Sequence, residues 1–502
     1  MYIQYASLRA RANAAALAGI VFSAYLNAVV LSVGSAMIVS LADGAEHYAL
    51  SWNLFYLFSA ISMPIAGRLG DLFGKKMIYG CGIALCVIGS ALSFFIGSML
   101  QFAIVRGIIG FGYGIILANG VAILGEVNAP QERGRYVALY STMIGLSQAL
   151  FPAITGWIAE KTGWEWSFLP GLPIGLCALW LTLKYVPSIH KKTDMIDWPG
   201  IFLLIAASFL LVSAVNGSGA LGFGLTGGQC MAGFFVCLLI FIYVERKSKN
   251  PIMPPALFRN KTFVLSTIAV FGLYMAFYPL NTYKSLLGAG VLQLGTTKNA
   301  LLMSVQFVAM TIASLFSGKV VDKTGKLKTL TLLSLLLLII AYFGLVFAGV
   351  GTPVALVAVY YALIGVGTGH LVYAFTLFLQ RDLPTELIGA GIGTNGFAQK
   401  IGGTLGSSFS NMLFTSAWLS AFGAIGNSEQ AILKDYSFLL DPTKASGLLR
   451  LLDDAGNNGS AVIEVLREGF SCSVQESWKV CIAGVFICLL ATLFLPPDSS
   501  NL

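Results

Sequence analysis

Fourteen apolar stretches of about 20 residues follow one another along the chain and constrain its fold more than any other feature. A helix of about this length is needed to cross the hydrocarbon of a bilayer. Only 10% of the residues are charged and 57% are hydrophobic, whereas soluble domains carry about 25% charged residues. The sequence therefore predicts an all-α integral membrane protein with fourteen transmembrane helices.

A short polar stretch between the second and third apolar stretches returns later in the chain with the pattern G-x-x-x-D-x-x-G-[RK]. Three of its residues recur at one constant offset, which a chance match would not produce. Glycine allows close approach of helix ends, and an aspartate accepts hydrogen bonds from the amides of a helix start. The members are Gly67, Asp71, Gly74 and Lys75 in the first copy and, 251 positions later, Gly318, Asp322 and Gly325.

This repeated pattern resembles the loop between helices two and three of the major facilitator superfamily of transporters. The resemblance implies two six-helix bundles related by an axis along the membrane normal, with two further helices inserted between them. It also implies that the paired loops form a conformational gate for alternating access. We expect an N-terminal bundle at residues 1–190, the inserted pair at 191–250, and a C-terminal bundle at 251–502 with a long outer loop at 419–477.

Further motifs are similar to those of the fourteen-helix drug:proton antiporter family. They include Trp164-Glu165-Trp166 before the sixth helix and Asp197-Trp198 before the inserted pair. The fifth helix keeps part of the antiporter pattern, in Gly145, Pro152 and Gly156. The resemblance implies proton-coupled efflux of a small organic solute. Close helix packing is the alternative interpretation for the fifth-helix residues.

Polar and ionisable residues within the predicted helices are the main candidates for a substrate cavity, because charge in hydrocarbon is costly. The resemblance assigns the cavity walls to the first, fourth, ninth and twelfth helices. Asn27 stands where the family usually has an aspartate, so it cannot carry a proton. The alternatives are a structural anchor for Arg106, snorkelling for Lys284, a satisfied neutral histidine for His370 and a packing role for Lys400. The candidates are Asn27, Arg106, Tyr113, Lys284, His370 and Lys400.

The balance of charge among these candidates predicts the class of substrate. Arg106, Lys284 and Lys400 are cationic, and the apolar stretches hold no aspartate or glutamate at mid-membrane depth. Like charges repel strongly where the dielectric constant is low. We therefore expect an organic anion, or an amphiphile with an acidic group, rather than a cation. His370 titrates near neutral pH and is the remaining candidate for proton coupling.

Other classes of function lack their motifs in this sequence. The chain has three histidines, no nucleophile and base at a catalytic spacing, and no phosphate-binding loop, so we expect no enzyme activity, cofactor or metal. Its net charge of +8 comes from scattered basic residues, which argues against nucleic acid binding. Their distribution predicts that both termini lie in the cytoplasm. We also expect a monomer in the plasma membrane. A proton-coupled uptake symporter, a non-transporting membrane sensor and a membrane enzyme stay open as alternatives.

Overall fold

The computed structural model describes residues 6–41, 43–128, 130–187, 197–216, 226–248, 251–383, 388–423, 436–440 and 459–497, without the side chains of some residues inside these ranges. Fourteen long helices account for most of these residues. They are α1 Ala6–Ser40, α2 Gly44–Phe73, α3 Lys75–Leu92, α4 Met99–Val127, α5 Pro130–Thr162, α6 Gly171–Tyr185, α7 Trp198–Asn216, α8 Gly227–Lys247, α9 Lys261–Leu286, α10 Thr296–Thr324, α11 Leu327–Val346, α12 Val354–Asp382, α13 Ile388–Gly423 and α14 Gly459–Leu493.

The all-α fold class is confirmed, and the residues that the structure describes contain no strand. Eleven of the helices are long and apolar enough to cross a membrane. The helices outside that set are α2, α7 and α13. In α2, buried Ser51, Asn53 and Ser59 lower the hydropathy while facing other helices. Small polar residues are typical of helix interfaces within membranes.

The helices pack into two groups of six with a pair beside them. In the first group α1 packs against α5 and α6, α2 against α4, and α3 against α4 and α6. In the second, α9 packs against α13 and α14, α10 against α12, and α11 against α12 and α14. The groups meet where α2 packs on α13 and α5 on α10, while α7 and α8 pack on each other and α7 touches α2 and α13. The boundaries at residues 190 and 250 stay predictions.

The internal repeat extends to the way in which helices approach each other. A Cβ atom added at Gly110 or Gly114 of α4 would lie 2.4 Å from the carbonyl oxygen of Phe55 or Ser59 in α2. A Cβ atom added at Gly365 of α12 would lie 2.2 Å from the carbonyl oxygen of Gln306 in α10. One added at Gly369 would lie 2.3 Å from the carbonyl oxygen of Met310. Such distances are too short for any side chain. Backbone therefore packs on backbone at matching places in both halves.

The helices extend beyond the apolar stretches from which they were predicted. The second apolar stretch ends at Gly67, yet α2 continues to Phe73, and α3 begins at Lys75. The expected polar loop is thus reduced to Gly74, whose φ of 93° favours glycine. Hydropathy detects the part of a helix in hydrocarbon, whereas its backbone hydrogen bonds continue at the membrane surface.

The same effect shortens the outer loop that was expected at residues 419–477. α13 continues to Gly423 and α14 begins at Gly459, so both ends of that segment are helical. The residues between them that the structure describes form one short helix, Ser437–Leu440. The remaining loop residues, with acids such as Glu429 and Asp453, lie outside the described residues.

Candidate transport site

A cluster of aromatic rings encloses the ammonium group of Lys400 where the two halves meet. Its Nζ donates a hydrogen bond of 2.6 Å to the hydroxyl of Tyr278. It also lies 4.9 Å from the ring centre of Tyr113, 5.0 Å from that of Tyr278 and 5.9 Å from that of Tyr56. These distances are within the range of cation–π attraction. We call Tyr56, Tyr113 and Tyr278 the tyrosine cage.

The tyrosine cage is assembled from both halves of the protein. Tyr56 is in α2 and Tyr113 in α4, whereas Tyr278 is in α9 and Lys400 in α13. The rings of Tyr56 and Tyr278 are stacked, with centroids 3.8 Å apart and planes inclined by 15°. Lys400 is 3% exposed. Any separation of the two halves at this depth must therefore change the surroundings of the Lys400 ammonium.

Arg106 lies next to the cage, between α2 and α4. Its guanidinium carbon is 3.9 Å from the ring centre of Phe55 and 5.1 Å from that of Trp52. Phe55 packs in turn against Tyr113 of the cage, with centroids 5.1 Å apart. Arg106 is completely buried, and none of its three nitrogens has a hydrogen-bond partner among the described residues. An unsatisfied buried guanidinium is costly, which is typical of a group that acquires a partner during function.

Lys284 is also buried, deeper in the second half. Its Nζ donates to Oε1 of Gln306 at 3.0 Å and lies 4.3 Å from the ring centre of Phe307. The side chain is 0% exposed, so it does not snorkel to the surface in this conformation. Phe307 contacts Phe277, and Phe277 contacts Tyr278 of the cage. A continuous series of aromatic rings therefore joins Lys284 to Lys400.

Three basic side chains thus lie inside the protein. Among the residues that the structure describes, no carboxylate forms an ion pair with Arg106, Lys284 or Lys400. Cation–π contacts and neutral hydrogen-bond acceptors replace the missing anion only in part. The arrangement leaves three buried basic side chains without an acidic partner among the described residues.

The two remaining cavity candidates lie apart from the cage. Nδ1 of His370 in α12 is 3.0 Å from Oγ of Ser317 in α10, and its Nε2 has no partner among the described residues. Asn27 is in α1, and its Oδ1 is buried and without a partner in the described part of the chain. Both positions keep one unsatisfied polar atom inside the helix bundle. Their roles in proton coupling and substrate binding stay predictions.

The antiporter-type residues of α5 lie at the contact between the halves. A Cβ atom added at Gly145 would lie 2.3 Å from Oγ1 of Thr311, and one added at Gly156 would lie 2.8 Å from Cβ of Ala300. Thr311 and Ala300 belong to α10 in the other half. Pro152 lies inside α5 between the two glycines. This placement fits the packing interpretation and also a role in the movement of one half against the other.

The residues predicted to form the gate lie at the α2–α3 and α10–α11 junctions, and the end of each half that carries its junction is called here the loop end. Lys75 Nζ pairs with Oε1 of Glu126 at 2.5 Å, which ties the start of α3 to the end of α4. A Cβ atom added at Gly67 meets nothing within 4 Å, and one added at Gly318 meets only Tyr373 at 3.7 Å. The expectation that these two glycines permit a close approach stays a prediction, because neighbouring side chains of both copies lie outside the described part of the structure. The side chains of Asp71 and Asp322 lie outside the described part of the structure.

Several residues of the site were missed in the sequence. Tyr56 and Tyr278 are two of 19 tyrosines, and nothing local distinguishes them. Asn119 of α4 donates to the carbonyl of Ala66 in α2 at 3.1 Å. Asn13 and Asn128 exchange two side-chain hydrogen bonds of 3.0 and 2.7 Å between α1 and the end of α4. A buried asparagine in an apolar stretch was the available signal, since such a group needs a partner.

Hydrogen bonds also join the halves at the end opposite the loop end. The hydroxyl of Tyr48 in α2 lies 3.2 Å from Oγ of Ser285 in α9. Glu160 at the end of α5 accepts hydrogen bonds from the backbone amide and the hydroxyl of Thr297 at the start of α10. These contacts hold the two halves together at that end in the conformation described.

Comparison with known proteins agrees with this architecture. The chain is 27% identical over 491 residues to multidrug transporter protein MdtP of Bacillus subtilis, covering 93% of this chain and 89% of that protein. It is 27% identical over 426 residues to multidrug resistance protein 3 of the same organism, covering 82% and 81%. The fold matches an inward-facing bacterial homologue of the human lysosomal transporter Spinster, with a TM-score of 0.67, 15% identity and coverage of 99% and 100%. It also matches the xylose transporter XylE of E. coli, with a TM-score of 0.62, 14% identity and coverage of 99% and 100%.

A sequence profile of the Major Facilitator Superfamily matches residues 12–407. Members of this superfamily carry small molecules across membranes, often together with protons, and do not act as enzymes. The fourteen helices, the repeated loop and the two packed halves belong to one transport architecture. The chain is therefore a multi-pass membrane transporter of the Major Facilitator Superfamily.

Proposed function

We propose that the protein exports organic anions, or amphiphiles with an acidic group, by proton-coupled antiport with alternating access. The observation that carries the proposal is the Lys400 ammonium, which is enclosed by the tyrosine cage and has no carboxylate partner among the described residues. A cationic substrate would compete with Lys400 for the same ring faces and would be repelled by it. An anion would pair with Lys400, and the rings would hold an apolar body.

Export is supported by the curated relatives, which are named as multidrug transporters. Proton coupling is assigned to His370, because its Nε2 lacks a partner among the described residues and an imidazole nitrogen can accept a proton. Arg106 is assigned a second contact with the anion, since a guanidinium binds a carboxylate or sulfate through two hydrogen bonds. Asn27 is assigned a hydrogen bond to the substrate. Lys284 is assigned a contribution to the positive potential that attracts the anion into the cavity.

The test is flux of two dyes of similar size and opposite charge, carboxyfluorescein and rhodamine 6G, in proteoliposomes with and without a pH gradient. The wild type should prefer the anion and respond to the gradient. Lys400→Gln and Arg106→Gln should each lower anion flux by about tenfold, since a hydrogen bond to a charged group contributes about 1.5–3 kcal/mol. Lys161→Gln, which removes an exposed positive charge at the end of α5, is the matched control. Preference for the cation in the wild type, or anion flux indifferent to both substitutions, would refute the proposal.

The coupling residue needs its own measurement. His370→Gln should keep the preference for the anion but lose the response to the pH gradient, because glutamine keeps hydrogen bonding and cannot be protonated. His370→Ala should lose both the response and the contact with Ser317. A full response to the gradient in His370→Gln would assign the proton to another group.

We further propose that the protein acts as a monomer in the plasma membrane, with the loop end and both termini in the cytoplasm. Asn13 near the start of α1 pairs with Asn128 at the loop end, and Lys328 at the start of α11 donates to the carbonyls of Leu493 and Leu495 at the end of α14. The start of α1 and the end of α14 therefore lie near the basic loops, which favour the cytoplasmic side. An impermeant thiol reagent on intact cells should label a single cysteine at position 460 and not one at position 188. The opposite pattern would invert the orientation.

A further inference from the structure

A large lateral crevice lies between the inserted helix pair and the second half of the protein. Its volume is about 980 Å³, and it is lined by α7, α8, α13 and the segment that precedes α9. The walls are mainly aliphatic and aromatic, and α8 leaves large apolar side chains such as Leu239 and Tyr243 exposed. The main wall residues are Leu204, Leu211, Phe234, Leu238, Phe397 and Ile401.

An apolar occupant suits these walls better than water does. Water in an apolar cavity lacks the two to four polar partners that it needs, and a dry void of this size would forfeit packing energy. Because the walls belong to helices of a membrane transporter, the hydrocarbon of the bilayer is the apolar material at hand. A lipid acyl chain fits a crevice that is long, apolar and open to its surroundings.

The crevice carries charged groups at its loop end. Arg246 at the end of α8 and Arg259 just before α9 line it together with Glu245. The two carboxylate oxygens of Glu245 accept hydrogen bonds from the backbone amides of Ile252 at 3.2 Å and Met253 at 3.0 Å. No carboxylate forms an ion pair with either arginine within the described residues. Among the residues that line the crevice, two guanidinium groups therefore accompany one carboxylate that is already hydrogen-bonded.

We propose that this crevice is a binding site for an anionic phospholipid, with an acyl chain along α7, α8 and α13 and the phosphate at Arg246 and Arg259. Guanidinium groups bind phosphate through charge-assisted hydrogen bonds, and basic pockets beside transmembrane helices favour anionic headgroups. The site is separate from the tyrosine cage, so the inference does not depend on the proposed substrate. It uses the proposed orientation only to assign the lipid to the cytoplasmic leaflet.

The experiment compares retention of phosphatidylglycerol and phosphatidylcholine by the full-length protein, measured by native mass spectrometry after extraction from mixed vesicles. The wild type should retain phosphatidylglycerol preferentially. The double variant Arg246→Gln with Arg259→Gln should lower that preference by about tenfold, because each basic residue near an anionic surface contributes several-fold. Lys247→Gln is the matched control, because this exposed lysine adjoins Arg246 in sequence, does not line the crevice and has its ammonium on Tyr243.

A second variant tests the channel itself. Ala207 lines the crevice, and Ala207→Phe places a ring in it without changing any charge. This variant should lower the retention of both lipids while leaving the preference for phosphatidylglycerol in what remains. Glycerophosphate, which has the headgroup chemistry without chains, should not displace the lipid, whereas short-chain phosphatidylglycerol should.

Three results would overturn the proposal. They are equal retention of the two lipids by the wild type, an equal loss of preference in Lys247→Gln, and displacement by glycerophosphate alone. The first would show that the arginines do not select a headgroup. The second would reduce the effect to general surface charge, and the third would leave the apolar channel without a role.

Discussion

The two copies of the repeated loop share a backbone plan and differ in how they are attached to the rest of the protein. In each copy a long helix ends directly before a glycine with positive φ, and the next helix begins one or two residues after that glycine. Gly74 has φ 93° and ψ 129°, and α3 begins at the next residue. Gly325 has φ 65° and ψ 0°, and one further residue, Lys326, precedes α11. The first turn thus uses a conformation for glycine alone, whereas the second uses the ordinary left-handed region.

The attachments differ more than the turns do. The first copy is fastened within its own half, where Lys75 pairs with Glu126 and Asn119 bonds to the carbonyl of Ala66. In the second copy Lys326 is exposed, and no ion pair to it occurs among the described residues. That copy is instead tied by Lys328 to the end of α14. The two copies therefore share the glycine turn, whereas the side-chain interactions that hold each turn in place differ between the halves.

The largest expected difference between the copies concerns transport. Asp71→Asn should lower turnover by roughly tenfold or more, since hydrogen bonds to a carboxylate lose about 1.5–3 kcal/mol when the charge is removed. Asp322→Asn should have a milder effect, because the anchor of the second copy at Lys328 binds carbonyls of α14 and does not involve the aspartate. Turnover per folded molecule in proteoliposomes measures both. Wild-type turnover in the two variants at normal expression would remove the gate role from these residues.

A smaller effect, on stability, separates the two turns. Asparagine adopts the left-handed region more readily than other side chains, so Gly325→Asn should cost less than about 1 kcal/mol. Gly74→Asn should cost about 2 kcal/mol or more, because φ 93° with ψ 129° lies outside that region. The apparent Tm in detergent should fall clearly in Gly74→Asn and only slightly in Gly325→Asn. Equal shifts would show that the two turns are interchangeable.

The fold could be predicted from the sequence because the signals for it, apolar length and a repeated motif, can be read without knowing which residues are in contact. Apolar length predicts a spanning helix, and a motif repeated at a fixed offset predicts two like halves. The site was harder to predict, because lipid-facing and protein-facing sides of a membrane helix are both apolar and give little sign of helix rotation. Lys400 was identified by its charge, but its contact with Tyr56 and Tyr278 depends on the rotation of three helices. Arg106 was likewise found by its charge, whereas its stacking on Phe55 required the structure.

The ion pair at the first copy offers a further comparison with a modest expected effect. Lys75 and Glu126 are 13% and 27% exposed, so their attraction is partly screened by solvent. A double-mutant cycle with Lys75→Gln and Glu126→Gln should give a coupling of about 1 kcal/mol in the free energy of unfolding. Lys326→Gln in the second copy is the control and should be nearly neutral. A coupling near zero would mean that the anchor of the first copy lies in Asn119 alone.

The smallest expected effect on stability belongs to the first glycine of each copy. Among the described residues, a methyl group at Gly67 meets nothing within 4 Å, and one at Gly318 meets Tyr373 at an ordinary contact distance of 3.7 Å. Replacing a helical glycine by alanine should therefore stabilise the protein by about 0.5–1 kcal/mol at either position. Gly70→Ala is the contrasting control within the first copy, because its methyl group would lie 2.1 Å from Oδ1 of Asn119.

Turnover of the same variants shows whether these glycines serve a second conformation. If the faces that carry Gly67 and Gly318 pack against another helix when the halves rock, alanine should lower turnover while the apparent Tm stays equal or rises. A loss caused by misfolding would instead lower both, as expected for Gly70→Ala. Unchanged turnover in Gly67→Ala and Gly318→Ala would restrict the gate to the residues nearer each turn. A loss at Gly67 alone would show that only the firmly anchored copy carries the moving contact.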